Sequence, residues 1–283
     1  MITLLRKALV WVLAATGILW LPFDISYYSD PQHRLPVSGY FIGLGIILLC
    51  TTVWLLLSRK KFSHHFQRQG LTFTVAIGDI FAFGDGAAIS FSDTFDTEVS
   101  SQLISKHSLQ AIFTKRVYGD DVKTLDKDIR QALRKSKAVA TKDVSKRIGK
   151  TDRYPLGTVL HVSKNGKSYY LIAVSKMGSD GRAQSTQQTF HESLCNLWTC
   201  IENTADNETI SIPVIGTGKA RLYADFELAL KEIILSAYSY SRITRRPTSH
   251  LRFVITKQDA KHVDMLKLKD FVKSLDTVAE PSK

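Results

Sequence analysis

The chain opens with two long apolar runs and then settles into short alternating and helical patterns. The first run covers roughly residues 5–23, with Arg6 and Lys7 near its start. The second covers 37–57 and carries no charged residue. A bilayer core takes about 20 residues of helix, so the two runs predict a transmembrane helical hairpin within residues 1–62. A secretory signal peptide is the alternative for the first run, but that run ends in Trp20-Leu21-Pro22-Phe23 with no small-x-small cleavage site. Arg59, Lys60, Lys61 and Arg68 follow the second run, while the loop between the runs carries only Arg34 among its lysines and arginines. With Arg6 and Lys7 at the start of the first run, this distribution predicts an inner-membrane, multi-pass protein with both termini cytoplasmic. Gly39 and Gly43 have the spacing that lets helices approach closely, which suits a homo-oligomer, although glycine is also common in membrane helices generally.

A basic stretch, 63–69, reads as a linker into a domain over 70–278. Leu71–Ile77 alternates as a strand does, and Ala87–Phe91 is a short apolar run. Val122, Leu125, Ile129 and Leu133 recur at helical steps, predicting an amphipathic helix over 121–137. Strands are predicted over 157–163 and 168–174, and the Asn165-Gly166 pair between them signals a hairpin. A helix over 185–203 presents Phe190, Leu194, Leu197, Trp198 and Ile201 on one face. A β-branched strand from Ile210, a helix to about Tyr240, a strand over 251–256 and a helix over 259–275 complete the pattern. About six strands interleaved with four helices predict an α/β domain with a largely covered sheet.

The stretch Ile210–Leu222 couples a strand to a glycine turn and a helix entry. Gly216 and Gly218 let backbone amides approach a ligand, and a following helix N-terminus favours phosphate. The turn is not a P-loop, because Pro213 replaces the first glycine and no Ser or Thr follows Lys219. Arg221 stands where a dinucleotide fingerprint needs its third glycine. A tight turn with no ligand is the plain alternative. The net charge of +12 suits an anionic partner. The basic residues are scattered, however, and no nucleic-acid-binding motif is present, so no nucleic-acid partner is expected. Cys50, Cys195 and Cys200 form no disulfide framework, which points to a reducing compartment. Cys195 and Cys200 fall on different faces of a helix, so they and His191 are not expected to bind a metal.

Gly78-Asp79-Ile80 after the first strand of the domain and a Gly-x-Gly turn after a late strand occur in the order seen in macrodomains. Tyr154-Pro155-Leu156-Gly157-Thr158 before the hairpin adds to the resemblance, which covers roughly residues 71–256. Phe95-Asp96-Thr97, Ile104 and Ser108-Leu109 resemble the macrodomain signature of Thoeris antiphage effectors, and the two apolar runs resemble the membrane-anchored branch of that family. The resemblance implies a macrodomain-like three-layer α/β/α sandwich. It also implies a partner TIR-domain protein that makes a histidine–ADP-ribose type signal from NAD. Asp79 would accept a hydrogen bond from the adenine amino group, with the Ile80 backbone against the base. Gly216, Thr217, Gly218, Lys219 and Ala220 would wrap the diphosphate and distal ribose. Lys219 and Arg221 could add charge-assisted bonds.

The departures from hydrolytic relatives matter equally. The segment Ile89–Phe95 lacks their asparagine pair, Ser92 stands where Thoeris relatives carry asparagine, Gln110-Ala111 replaces their His-Gly, and no glycine triplet follows. Ser92 and Asp96 are candidate contacts to the distal end of the ligand, and equally readable as turn-capping groups. The resemblance therefore implies a non-catalytic sensor of an ADP-ribose derivative, with no cofactor, whose output is membrane disruption and abortive infection. A membrane-tethered ADP-ribosyl hydrolase or deacetylase, or an ADP-ribose-reading adaptor, is the alternative.

Overall fold

The computed structural model describes residues 37–58, 60–99, 104–146, 148–178, 183–217 and 223–277, and near the start 10, 12–18, 20–22, 24 and 25. The chain divides into two compact units, residues 1–61 and 62–283. The first unit holds helix α1, Val37–Ser58, 22 residues long. Among the described residues no helix is long and apolar enough to cross a membrane. This overturns the predicted transmembrane hairpin, and with it the multi-pass inner-membrane placement and the orientation drawn from the basic residues. A run free of charge is not thereby apolar throughout. Ser38, Gly39, Gly43, Gly45, Thr51 and Thr52 interrupt it, and the Thr51 and Thr52 hydroxyls donate back to the Leu48 carbonyl at 3.1 and 2.7 Å.

The second unit is built on a sheet of eight strands: β1 (Lys61–Phe66), β2 (Leu71–Ile77), β3 (Gly86–Ser92), β6 (Val159–Lys164), β7 (Lys167–Met177), β8 (Ala183–Gln184), β9 (Thr209–Pro213) and β10 (His250–Ile255). The strand order is β1-β2-β10-β9-β3-β7-β6, with β8 also paired to β7. Strands β2, β10, β9, β3 and β7 are parallel neighbours, while β6 and β8 run antiparallel to β7. A separate two-stranded ribbon pairs β4 (Thr141–Lys142) with β5 (Asp152–Arg153). Most of the segment read as a linker is strand β1, whose Phe62 and Phe66 are buried.

Period-two alternation sends successive side chains to opposite faces of this sheet. On β7, Tyr170 and Ile172 join one core, while Tyr169, Leu171 and Ala173 join the other. The first core packs β2, β9 and β10 against α4 (Gln187–Thr204), α5 (Phe226–Ile243) and α6 (Met265–Thr277). The second packs β3, β6 and β7 against α2 (Leu109–Tyr118) and α3 (Val122–Ser136). The sheet is thus covered on both sides, as parallel strands require. Trp198 of α4 is fully buried and satisfies its indole N–H on the Ser236 hydroxyl at 2.9 Å. The hairpin sits where the sequence placed it: Asn165 and Gly166 take φ of 52° and 71° between paired Lys164 and Lys167.

Close packing at the sheet centre leaves little tolerance. A Cβ on Gly86 would lie 2.5 Å from the Ser168 carbonyl oxygen and 2.9 Å from Ile210 Cδ1. Gly86→Ala should therefore lower stability by about 1–3 kcal/mol, read as a lower urea midpoint with an unchanged slope.

Candidate functional site

Parallel strands that point the same way deliver their following loops to one edge, and ligands of open α/β sheets bind beyond that edge. A cavity of about 680 Å³ lies there. It is lined from β2 by Gly78 and Asp79, from β3 by Phe91 and Ser92, from β7 by Ser175 and Met177, from β9 by Pro213–Thr217, and from β10 by Thr256 and Lys257. The N-terminal turn of α2 closes another side with Ser108, Leu109 and Gln110. Ser108 caps that helix, its hydroxyl accepting from the Ala111 N–H at 3.1 Å.

Asp79 stands at the rim. Its carboxylate accepts from the Phe81 N–H at 3.1 Å, capping the short 3₁₀ turn Ile80–Ala82, and from the Arg116 guanidinium. Burial works to raise the Asp79 pKa, but these two donors outweigh it and hold the carboxyl below its ordinary value. Ile80 is buried beside it.

The glycine turn lies on the other side. Gly216 takes a φ of +94°, and a Cβ there would meet the Tyr223 ring at 3.1 Å and the Phe190 ring at 3.4 Å. Those two rings pack edge-on at 5.4 Å and form the wall behind the turn. Helix α5 does not begin at the turn, as the sequence suggested, but at Phe226. Asp225 caps it, accepting from the Glu227 and Leu228 amides at 2.8 and 3.2 Å. The amides of that first turn are therefore partly engaged by the protein itself.

The third part is a buried charge network under the segment 92–97. Asp96 Oδ2 accepts from Lys146 Nζ at 2.5 Å and from the Thr94 hydroxyl at 2.5 Å, and Oδ1 accepts from the Lys150 N–H at 2.6 Å. Both side chains of the Asp96–Lys146 pair are nearly inaccessible, 4 % and 3 % exposed. Lys150 Nζ donates to the Phe95 carbonyl and to Asp126. Arg153 bridges Asp93 and Asp143 at 2.7 and 2.6 Å. This lattice holds Phe95 at a φ of 46°, a left-handed conformation uncommon for a bulky residue. The Gln110 side chain donates to the Asp96 carbonyl and ties the α2 N-terminus to the same loop.

A family model described as "Thoeris protein ThsA, Macro domain" matches residues 73–256. The chain belongs to the Thoeris ThsA macro-domain family. A curated relative, the Thoeris protein ThsA of Bacillus amyloliquefaciens (strain Y2), is 26% identical over 276 residues, covering 93% of this chain and 89% of that protein. Among solved structures, an Oceanobacillus iheyensis macrodomain with ADP overlaps at a TM-score of 0.48 with 14% identity, covering 76% of this chain and 97% of that one. The same macrodomain with MES bound overlaps at 0.49 with 12% identity, covering 76% and 98%. Family membership gives the chain a role in the Thoeris antiphage system.

Of the residues singled out in the sequence, Asp79, Ile80, Ser92, Asp96, Gly216 and Thr217 line the same cavity. Gly218, Lys219, Ala220 and Arg221 lie outside the described residues. The Asp96 carboxylate is turned into the lysine network, so its contribution to the cavity is to fix the loop. Ser92 bonds the Thr94 hydroxyl at 3.2 Å. Sequence reasoning read Gln110 only as a departure from the His-Gly of relatives, and it missed Arg116, Lys146, Lys150 and Arg153. None of these four belongs to a motif; the fold brings Arg116 to Asp79 and the other three to the loop. Among the described residues no cluster of His, Cys, Asp and Glu is suited to a metal ion.

Removing one member of a buried ion pair strands the other. Lys146→Met should cost about 3–5 kcal/mol, while Lys146→Met combined with Asp96→Leu should recover much of the loss. Urea unfolding of the two variants measures the difference.

Proposed function

We propose that this chain is a non-catalytic sensor whose cavity binds an ADP-ribose derivative, of the histidine–ADP-ribose type, made by the TIR-domain partner. The observation that carries the reading is the placement of Asp79 and the Gly216 turn on the walls of one cavity, at the carboxyl ends of parallel strands. A carboxylate is the natural acceptor for an exocyclic amine, and a turn free of Cβ atoms lets backbone N–H groups reach a diphosphate. The α2 N-terminus contributes a favourable dipole to the same cavity. A volume of about 680 Å³ lies in the range of small-molecule sites.

The sensor reading is further supported by the state of the carboxylates. Asp96, the acid nearest the expected distal end, accepts three hydrogen bonds and is held by Lys146. A carboxylate so engaged is poorly placed to take a proton from water. The signal then acts by differential affinity for two states of the protein, which is all a ligand can supply.

Titration calorimetry against ADP-ribose, NAD and the histidine conjugate tests the reading. Binding of at least one is expected, with no turnover of ADP-ribosylated substrate. Asp79→Ala should weaken binding about 10-fold or more, since it removes a hydrogen bond to a charged group. In bacteria carrying the system, Asp79→Ala should abolish phage protection while the protein accumulates normally, and Gly216→Glu, which forces a side chain onto a left-handed glycine, should abolish it as well. Full protection by both variants would refute the ligand-sensing account.

A further inference from the structure

Asp79 is already occupied by a cation of the same chain. Arg116, on the last turn of α2, donates to its carboxylate and lies over the Phe81 ring at 5.7 Å. The side chains are 53 % and 42 % exposed for Arg116 and Asp79. Both face the main cavity, and both also border a second, shallower groove of about 410 Å³ lined by Asn165, Lys167 and Tyr169.

We propose that Arg116 is a specificity-determining residue: it competes with the base of the ligand for Asp79 and sets which purines the crevice accepts. This rests on the reading of Asp79 as the acceptor at the base end. An exposed ion pair is weak, so an amino group can replace the guanidinium. The replaced Arg116 has room in the second groove, where Asn165 offers an acceptor. An aminopurine therefore binds against a competitor. A 6-oxopurine presents an acceptor where the amine would be. The carboxylate alone would repel it, but Arg116 can donate to that oxygen. Arg116 thus weakens the preference for adenine that Asp79 alone would impose.

The test compares ADP-ribose with its hypoxanthine counterpart, inosine diphosphate ribose, on the whole protein and on Arg116→Met and Arg116→Lys. Because the side chain is half exposed, the variants keep the fold. Arg116→Met is expected to bind ADP-ribose about 2- to 5-fold more tightly than the wild type at low salt, the range an exposed ion pair permits. It should bind the hypoxanthine ligand more weakly, so the ratio of the two affinities rises. Arg116→Lys should fall between. The gain for ADP-ribose should shrink as added salt screens the wild-type pair. If the wild type binds ADP-ribose but Arg116→Met binds it no more tightly, or the base ratio is unchanged, the proposal is overturned. If the wild type binds neither nucleotide, the crevice reading itself fails and takes the proposal with it.

Discussion

Parallel strands impose a direction on everything around them. Strands β2, β10, β9, β3 and β7 run parallel to one another, so the chain leaves all five at the same edge. Beyond that edge the ladder cannot continue indefinitely, and the backbone groups of the last residues must find other partners. Some do so within the protein: the Gly78 N–H donates to the Ile255 carbonyl and the Asp93 N–H to the Ser175 carbonyl, both at 2.9 Å. What remains between the loops is the cavity. The site is a consequence of strand direction before it is a consequence of any particular side chain.

Side chains then decide how firmly the walls stand. The loop after β3 carries Asp93 and Asp96, both buried, and each is met by a long basic side chain from the segment 143–153. Buried pairs of this kind contribute little net stability, because desolvation of the charges offsets their attraction. Their effect is on uniqueness. An alternative loop conformation would strand a carboxylate away from both water and its lysine. Phe95 can therefore remain in an unfavourable backbone region without the loop relaxing. The walls near Asp96 are fixed, whereas Asp79 is half exposed and held by one movable guanidinium. One end of the crevice is rigid and the other adjustable.

The parts of this architecture that show in the sequence are those with a strong local period. Helix α3 and strand β2 announce themselves because one face is apolar and the register is regular. The Asn165-Gly166 hairpin is visible because only a few dipeptides adopt its backbone angles. Helix α2 is invisible by the same measure, since it buries Gln110 and Thr114 among its apolar residues and so breaks the stripe. The ribbon β4–β5 is two residues wide and has no pattern to read. Strand β1 resembles a linker because Ser63, His64 and His65 separate its two buried phenylalanines and Lys61 precedes them. In the site, Gly78-Asp79-Ile80 and the Gly216 turn are legible because backbone geometry constrains their composition. Lys146, Lys150 and Arg116 are not, because a surface lysine and a buried one look alike until the partner is known. The apolar start of the chain was legible as composition and misleading as structure. Absence of charge is only one of the conditions a membrane span must meet.

The central claim concerns where a nucleotide sits, and a crystal structure of the protein with ADP-ribose tests it most directly. The account predicts the adenine amino group within hydrogen-bonding distance of the Asp79 carboxylate, with Arg116 moved off it. The diphosphate should lie against the backbone of the turn at Gly216 and Thr217. A nucleotide bound elsewhere, or a crevice that stays empty at saturating ADP-ribose, would contradict it.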